Sequence, residues 1–178
     1  MDERVNVDQF RLAMRNLAGA VNIVSTAHSG HRYGMTATAV CSATADPPTV
    51  LVCLNRETTT HGAVHKAGVF CVNVLRFEDF ELSTAFAGAQ QGETRFRARD
   101  WTKLATGAPV LSDALASFDC RVVKSLEHGT HTVFLGEVES ILIGKKGKPL
   151  LYAGGQYAKL ASLAHGEALP EGLDYWGF

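Results

Sequence analysis

The sequence predicts a mainly β fold with short helices, its antiparallel strands closing into a barrel. Three observations predict it. About seven segments have the length and residue types of strands, with short helical stretches between groups of them. The turns at Gly30, at Gly129 and at 145–149 are of hairpin length. Two nearly continuous apolar strands, 49–55 and 69–75, need protection from exposed edges, and a closed barrel supplies it.

The elements follow in order. Residues 8–18 (DQFRLAMRNLA) place Phe10, Met14, Leu17 and Ala18 at helical spacing, with Asn6 or Asp8 to cap the start and Gly19 to end it. VNIVST (21–26) reads as a strand, and HSGH (28–31) as a turn into a second strand, 33–44. Asp46-Pro47-Pro48 stops that strand, because proline lacks the donor and restrains the residue before it. TVLVCLN (49–55) is an apolar strand expected to be buried on both faces. RETTTHGAVHKAG (56–68) is a polar loop into a short helix ended by Gly68, and VFCVNVL (69–75) another buried strand. FEDFELSTAFAG (77–88) reads as a helix with Phe80, Leu82, Ala85 and Phe86 inward, and 88–109 as irregular chain. Strands return at 116–128, 130–144 and 149–157.

The length fits a single domain over 1–178, with a core of about 10–160 and a C-terminal tail of 161–178. Hydrophobic residues make up 46% of the chain and charged residues 20%, ordinary values for a soluble globular protein. A net charge of −1, with no basic block beyond Lys145 and Lys146, argues against a nucleic-acid partner. The N-terminus MDERVNVDQF has no apolar signal region and no run is long enough to span a bilayer, so no membrane role and a cytoplasmic location are expected. Cys41, Cys53, Cys71 and Cys120 form no CxxC, and each is expected to be a reduced, buried thiol.

No phosphate loop, dinucleotide fingerprint or nucleophile elbow occurs. His61 and His65 have the i, i+4 spacing of a metal pair, but no third ligand accompanies them, and a solvated helix face explains them better. RETTTH (56–61) puts three threonines and Arg56 between a buried strand and a helix start. That set suits a phosphate monoester, and simple helix capping explains it too. His131 begins a strand after a turn, where surface, capping and catalytic roles all remain open. Arg95-Phe96 has the chemistry to clamp an anionic or planar ligand, or Arg95 is a surface loop arginine. GMTATAVCS (34–42) carries only small side chains and hydroxyls, a pattern expected where something approaches the backbone closely.

Taken in order, GMTATAVCSATADPPTVLVCLN, the threonine-rich loop, FCVNVL, LSTAFAG, RF, W, GAPVL, ALASFDC, GTH, FLGEVE and PLLYAGGQY resemble the short-chain flavin reductases. These are the reductase components of two-component flavin monooxygenases, and the segment 101–120 with GTH after it resembles the pyrimidine-degradation type most. The resemblance implies an FMN-binding split β-barrel that works as a homodimer. It implies hydride transfer from NADH to FMN, and delivery of reduced flavin to a separate flavin-dependent oxygenase. FAD and NADPH stay open as alternatives. The family's flavin strand corresponds to Thr36, Ala37, Thr38, Ala39 and Ser42, and its phosphate loop to Asn55, Arg56, Thr58 and Thr60. Phe86, Ala87, Arg95 and Phe96 correspond to its helix and loop beside the flavin, and His131 to its catalytic histidine near the nicotinamide. Two departures stand out. Thr130 replaces an Asp common before that histidine. Gly154-Gly155-Gln156-Tyr157 lacks the Arg common in the last strand, although Tyr157 remains for cofactor contact.

Flavin reduction needs stacked rings on a flat floor and backbone donors, not a protein nucleophile, which agrees with the absence of any triad. Enlarging Ala37 or Ala39 is therefore expected to cost flavin binding before it costs folding. The main competing reading is a flavin-binding electron-transfer or storage protein on the same barrel. A pyridoxamine-phosphate oxidase-like enzyme lacks enough basic residues here, and a metal or haem module would rest on His61 and His65 alone.

Overall fold

The structure is a computed structural model that describes residues 5–89 and 92–161. The expected tail beyond 161 lies outside the described residues. Helix α1 (Val7–Met14) starts at Asn6, whose side chain accepts the Asp8 N–H at 2.8 Å. Strands β1 (Gly19–Ala20), β2 (Asn22–His28), β3 (His31–Ala37), β4 (Val40–Ala45) and β5 (Pro48–Asn55) follow. Helix α2 (Thr59–Ala67) leads to β6 (Val69–Val74), and a 3-10 turn leads to helix α3 (Phe80–Thr84) and a π-turn, Ala85–Ala89. After the turn Gly92–Phe96 come β7 (Trp101–Lys103), β8 (Pro109–Leu111), β9 (Ala116–His128), β10 (His131–Ile143), β11 (Leu150–Ala153) and β12 (Gln156–Lys159).

Seven strands form one antiparallel sheet in the order β3-β2-β6-β9-β10-β5-β4. Its two edge strands, β3 and β4, are consecutive in the chain and only Thr38 and Ala39 separate them. The predicted strand 33–44 is therefore one chain segment that changes edges. It kinks where the Val40 N–H bonds the Thr38 carbonyl at 2.9 Å, and that kink brings the sheet's edges together into a barrel. The small residues of 36–42 sit at this seam. A second sheet, β1-β11-β12, and the β7–β8 hairpin lie against the barrel.

The barrel interior is filled by Val24, Val52, Leu54, Phe70, Val72 and Phe134, with Val64 of α2 packed onto it. A side chain at Gly136 would collide with the Phe70 ring, so a glycine is needed there for the phenylalanine to fill the centre. A second cluster, outside the barrel, joins Ile23, Leu82, Phe86, Phe96 and Leu111, with Trp101 against it. Phe86, Phe96 and Trp101 meet edge to face or tilted, with centroids 4.9–5.6 Å apart. Beside this cluster the fully buried Asp79 carboxylate receives Arg76 and Arg99, each at 3.0 Å. Burial works to raise the Asp79 pKa, but the two guanidiniums outweigh it and hold the carboxyl below its ordinary value.

Several expectations are corrected by these contacts. Strand β5 is not buried on both faces: Val50, Val52 and Leu54 point inward while Leu51 and Cys53 are half-buried outside, as an antiparallel barrel strand requires. β6 is buried on both faces from Val69 to Asn73, where the β7–β8 hairpin, in the stretch expected to be irregular, lays Ala108 and Val110 over Cys71. Phe80 is exposed on α3, whereas Leu82, Ala85 and Phe86 turn inward as expected. Helix α1 is shorter than predicted and none of its residues is buried, so its apolar stripe is left uncovered by the described residues. Cys41 is exposed, on the outer face of β4. The final strand is a hairpin, β11–β12, turning at Gly154 and Gly155, both with positive φ.

Candidate functional site

The site begins with an unpaired strand edge. Among the described residues β3 pairs only with β2, so backbone groups of alternate residues face away from the sheet. Arg32 and Gly34 show which alternation applies. The Arg32 N–H donates to Glu93 Oε1 at 2.8 Å, and the Gly34 carbonyl accepts from Arg95 Nη1 at 2.7 Å. The backbone of Thr36, two residues on, faces the same free edge. Its hydroxyl donates to the Ser83 carbonyl at 2.6 Å, which fixes α3 against the strand.

A cleft of about 810 Å³ runs along this edge. Its floor holds Thr36, Ala37 and Thr38, and its walls include Phe86, Ala87 and Arg95. Thr58 and Thr60 border it at the start of α2, and Tyr157 at the second sheet. Nine of the predicted site residues therefore share one cavity. Gly34 has to be glycine: a Cβ there would stand 2.7 Å from Phe86 Cε1. Phe96 does not line the cleft but packs beneath it, 5.0 Å from Phe86 between ring centroids.

Thr58 caps α2, accepting the His61 N–H at 3.2 Å while its hydroxyl donates to the Asn55 carbonyl at 2.8 Å. The capping role is thus real, and it also turns the helix start, with Thr59 and Thr60, toward the cleft. Asn55 shapes the same turn by accepting the Glu57 N–H at 2.9 Å, and Arg56 reaches Glu127 at 3.1 Å. His131 is exposed, opposite Asn55 in the β10–β5 ladder, with Nδ1 2.8 Å from the Thr130 hydroxyl. Asn55, Arg56 and His131 therefore gather at the Thr58 turn without lining the cleft. Ala39 lies within the kink and Ser42 past it, both outside the cleft. Ser42 pairs with Val50, and the Ala39 carbonyl bonds the Cys53 N–H at 3.0 Å.

The electrostatics single out Arg95. It has no carboxylate partner among the described residues, and its Nε is buried without a hydrogen bond. Burial lowers its pKa, yet a guanidinium stays charged at any physiological pH. An orphaned N–H on a fixed cation, beside a helix start and a free strand edge, fits an anionic group on a flat ligand. Arg32 is different. Its Nε and Nη2 both bind Glu93 Oε2, at 2.9 and 2.7 Å, and the pair holds the Glu93 carboxyl below its ordinary pKa.

The chain matches the flavin reductase like domain over residues 14–161. It belongs to that family. Among its relatives, an FMN reductase (NADH), RutF 2 of Methylorubrum extorquens, is 46% identical over 158 residues, covering 89% of this chain and 92% of that one. Among solved structures, the NADH:FAD oxidoreductase SgcE6 of Streptomyces globisporus is 28% identical with a TM-score of 0.83, covering 91% of this chain and 98% of its own. BorF, the flavin reductase component of a bacterial two-component tryptophan halogenase, is 27% identical with a TM-score of 0.81, covering 89% and 100%.

Within this flavin reductase fold the sequence reading missed Arg32, Glu93, Met35, Tyr33 and Tyr152, all of which line the cleft. The signal for Arg32 was present: it shares the period-two alternation of Gly34 and Thr36. Glu93 and Tyr152 reach the cleft by tertiary contact, which no local pattern reports. Tyr157 is held by Ser83 Oγ at 2.9 Å and packs on Tyr152, centroids 5.7 Å apart. A second cavity of about 470 Å³ holds Arg56, His61, His65 and Glu127. His61 is buried, 2.8 Å from the Thr132 hydroxyl, so it is not the solvated residue expected. Among the described residues no cluster has the makings of a metal site.

Proposed function

We propose that this chain is an NADH-dependent FMN reductase. The observation that carries the proposal is the free edge of β3: a small-residue floor at 36–38 with an uncompensated Arg95 beside it. In this reading the phosphate is held between Arg95 and the start of α2 at Thr58–Thr60. The flat ring system lies over Thr36–Thr38, where side chains are too small to lift it from the backbone. Bound FMN supplies the hydride acceptor and NADH the hydride. The residues position the two rings and exclude water, and backbone N–H groups on the free edge stabilise negative charge that develops at the flavin ring. Phe86 and Tyr157 wall the cleft, and Phe96 and Ser83 hold them in place. His131, beside the Thr58 turn, is assigned to the nicotinamide nucleotide rather than to proton transfer. Ala39, Ser42, Asn55 and Arg56 then act by shaping the seam and the turn.

The relatives' names support NADH and FMN as the substrates, and BorF, a component of a two-component system, supports a separate partner that consumes the reduced flavin, here proposed to be a flavin-dependent oxygenase. No described helix is long and apolar enough to cross a membrane, and a cytoplasmic location is proposed with the rest. A homodimer is proposed as well. The exposed apolar residues Phe10 and Leu12 of α1, with Val123 and Leu126 of β9, are surface that a second copy would cover.

The test is loss of reduced-nicotinamide absorbance on adding protein to NADH and excess FMN. Turnover dependent on both substrates is expected. Tight FMN binding with no turnover would favour the storage protein instead.

A further inference from the structure

We propose that the Arg32–Glu93 pair sets the flavin specificity of the cleft, admitting a flavin mononucleotide and turning away the diphosphate of a flavin dinucleotide. The inference rests on the reductase reading of the cleft and assigns that cleft a specificity-determining pair.

Three positions along the free edge of β3 carry it. Successive edge-facing residues are about 7 Å apart along a strand. At 36 the edge is open and the side chain small, at 34 it is met by Arg95, and at 32 it is met by Glu93. A mononucleotide with its ring over 36–38 places its single phosphate at Arg95 and the α2 start. It ends there. A dinucleotide carries a second phosphate and an adenosine, and the edge leads them toward position 32.

At that position the charge of the Arg32 guanidinium is already paired. Both N–H groups of its side chain that reach Glu93 bind the same carboxylate oxygen, and the other carboxylate oxygen takes the Arg32 backbone N–H. An incoming phosphate meets a guanidinium whose charge a carboxylate already neutralises, and that fixed carboxylate repels it. Arg95, one repeat away, has no carboxylate partner among the described residues, and its buried Nε makes no hydrogen bond there. The cleft thus holds two guanidiniums that differ in charge pairing: Arg95 without a carboxylate among the described residues, Arg32 neutralised by Glu93. Both rim groups are partly exposed, with side-chain accessibilities of 34% and 40%, so each lies within reach of a ligand in the cleft. The family contains proteins named for FMN and for FAD, so a local device is needed to choose between them.

The experiment compares kcat/KM for FAD with that for FMN at saturating NADH, in wild type, Glu93→Gln, and Glu93→Gln with Arg32→Gln. Glutamine keeps an acceptor for the Arg32 N–H and removes the charge. Glu93→Gln is expected to raise the FAD:FMN ratio about tenfold, an effect of about 1.4 kcal/mol. The added Arg32→Gln is expected to remove most of that gain, since the gain comes from the freed guanidinium. An unchanged ratio, an equal change for both flavins, or a gain that survives in the double variant would overturn the proposal. So would a larger shift in the NADPH:NADH ratio at saturating FMN, which would place the masked arginine against the nicotinamide nucleotide instead. If wild type turns over no flavin, the reductase reading fails by itself. The ratio of FAD to FMN dissociation constants, read by flavin fluorescence in the same variants, then still decides the role of the pair.

Discussion

The carbonyl of Gly34 accepts a hydrogen bond from Arg95 Nη1 at 2.7 Å, so at this point a loop side chain stands where a neighbouring strand would otherwise pair. An open edge is an aggregation risk that proteins cover in various ways. Here the cover is partial. Residues 32 and 34 are met by Glu93 and Arg95, and the stretch beyond them stays open to the cleft.

Replacing Arg95 by methionine removes the open cation while keeping much of the side-chain volume. Flavin affinity is expected to fall about 10- to 100-fold, the range of a charge-assisted hydrogen bond. Arg95→Lys should recover part of it, because lysine keeps the charge and loses the planar fork. Titration of flavin fluorescence measures both.

Gly34→Ala puts a methyl group 2.7 Å from Phe86 Cε1 and 3.3 Å from Phe96 Cζ. Neither ring can retreat, since they pack on each other and on Trp101. A loss of about 1–3 kcal/mol is expected, with a lower midpoint in chemical denaturation.

Thr38 offers a cleaner probe of the floor than Ala37. Ala37 lines the cleft but also packs against the barrel interior, so enlarging it disturbs both binding and folding. Thr38 is exposed and lines the cleft. Thr38→Leu should weaken flavin binding at least tenfold and leave the thermal midpoint of the free protein within a few degrees.

His61 makes the fold sensitive to mild acid. Burial lowers its pKa, and His65 and Arg56 lower it further, while Glu127 opposes them. The unfolded chain, with a histidine pKa of about 6.5, therefore takes up a proton before the folded one does. Its contribution to stability is complete above that value and is lost as pH falls through the lower, folded pKa. Denaturation midpoints across this window should decline less steeply in His61→Gln than in wild type.

Asp79 acts at lower pH in the same sense. Its folded pKa lies below the ordinary carboxylate value, so the stability it confers is present above about pH 4 and disappears below it. Asp79→Asn leaves Arg76 and Arg99 without their shared buried partner. A loss of about 3 kcal/mol near neutral pH is expected from equilibrium unfolding.

What the sequence made legible follows periodicity. Alternation placed the strands, and the small residues of 34–42 pointed to a close approach to the backbone, although only part of that stretch, with Thr36–Thr38, lines the cleft. The α2 start was legible because Thr58 and Gly68 are ordinary helix boundaries. The split of 33–44 was not, because Thr38-Ala39 carries no proline or glycine to announce a kink. The carboxylate over Arg32 was hidden for a different reason. Glu93 lies 61 residues away in sequence, and its loop reaches β3 through tertiary contacts, the packing of Phe86 and Phe96 and the Arg95–Gly34 bond. His61 was misread because one helix turn cannot tell which imidazole faces Thr132.

The seam between β3 and β4 has an evolutionary consequence. One continuous segment, 31–45, both closes the barrel and presents the floor of the cleft. Inserting a single residue before Thr38 would exchange the inward and outward faces of everything between it and the next turn. Surface loops elsewhere are free to lengthen as lineages diverge. This stretch can change its side chains but not its length, so new flavin or nicotinamide preferences have to come from the loops that lean on it, such as the one bearing Glu93 and Arg95.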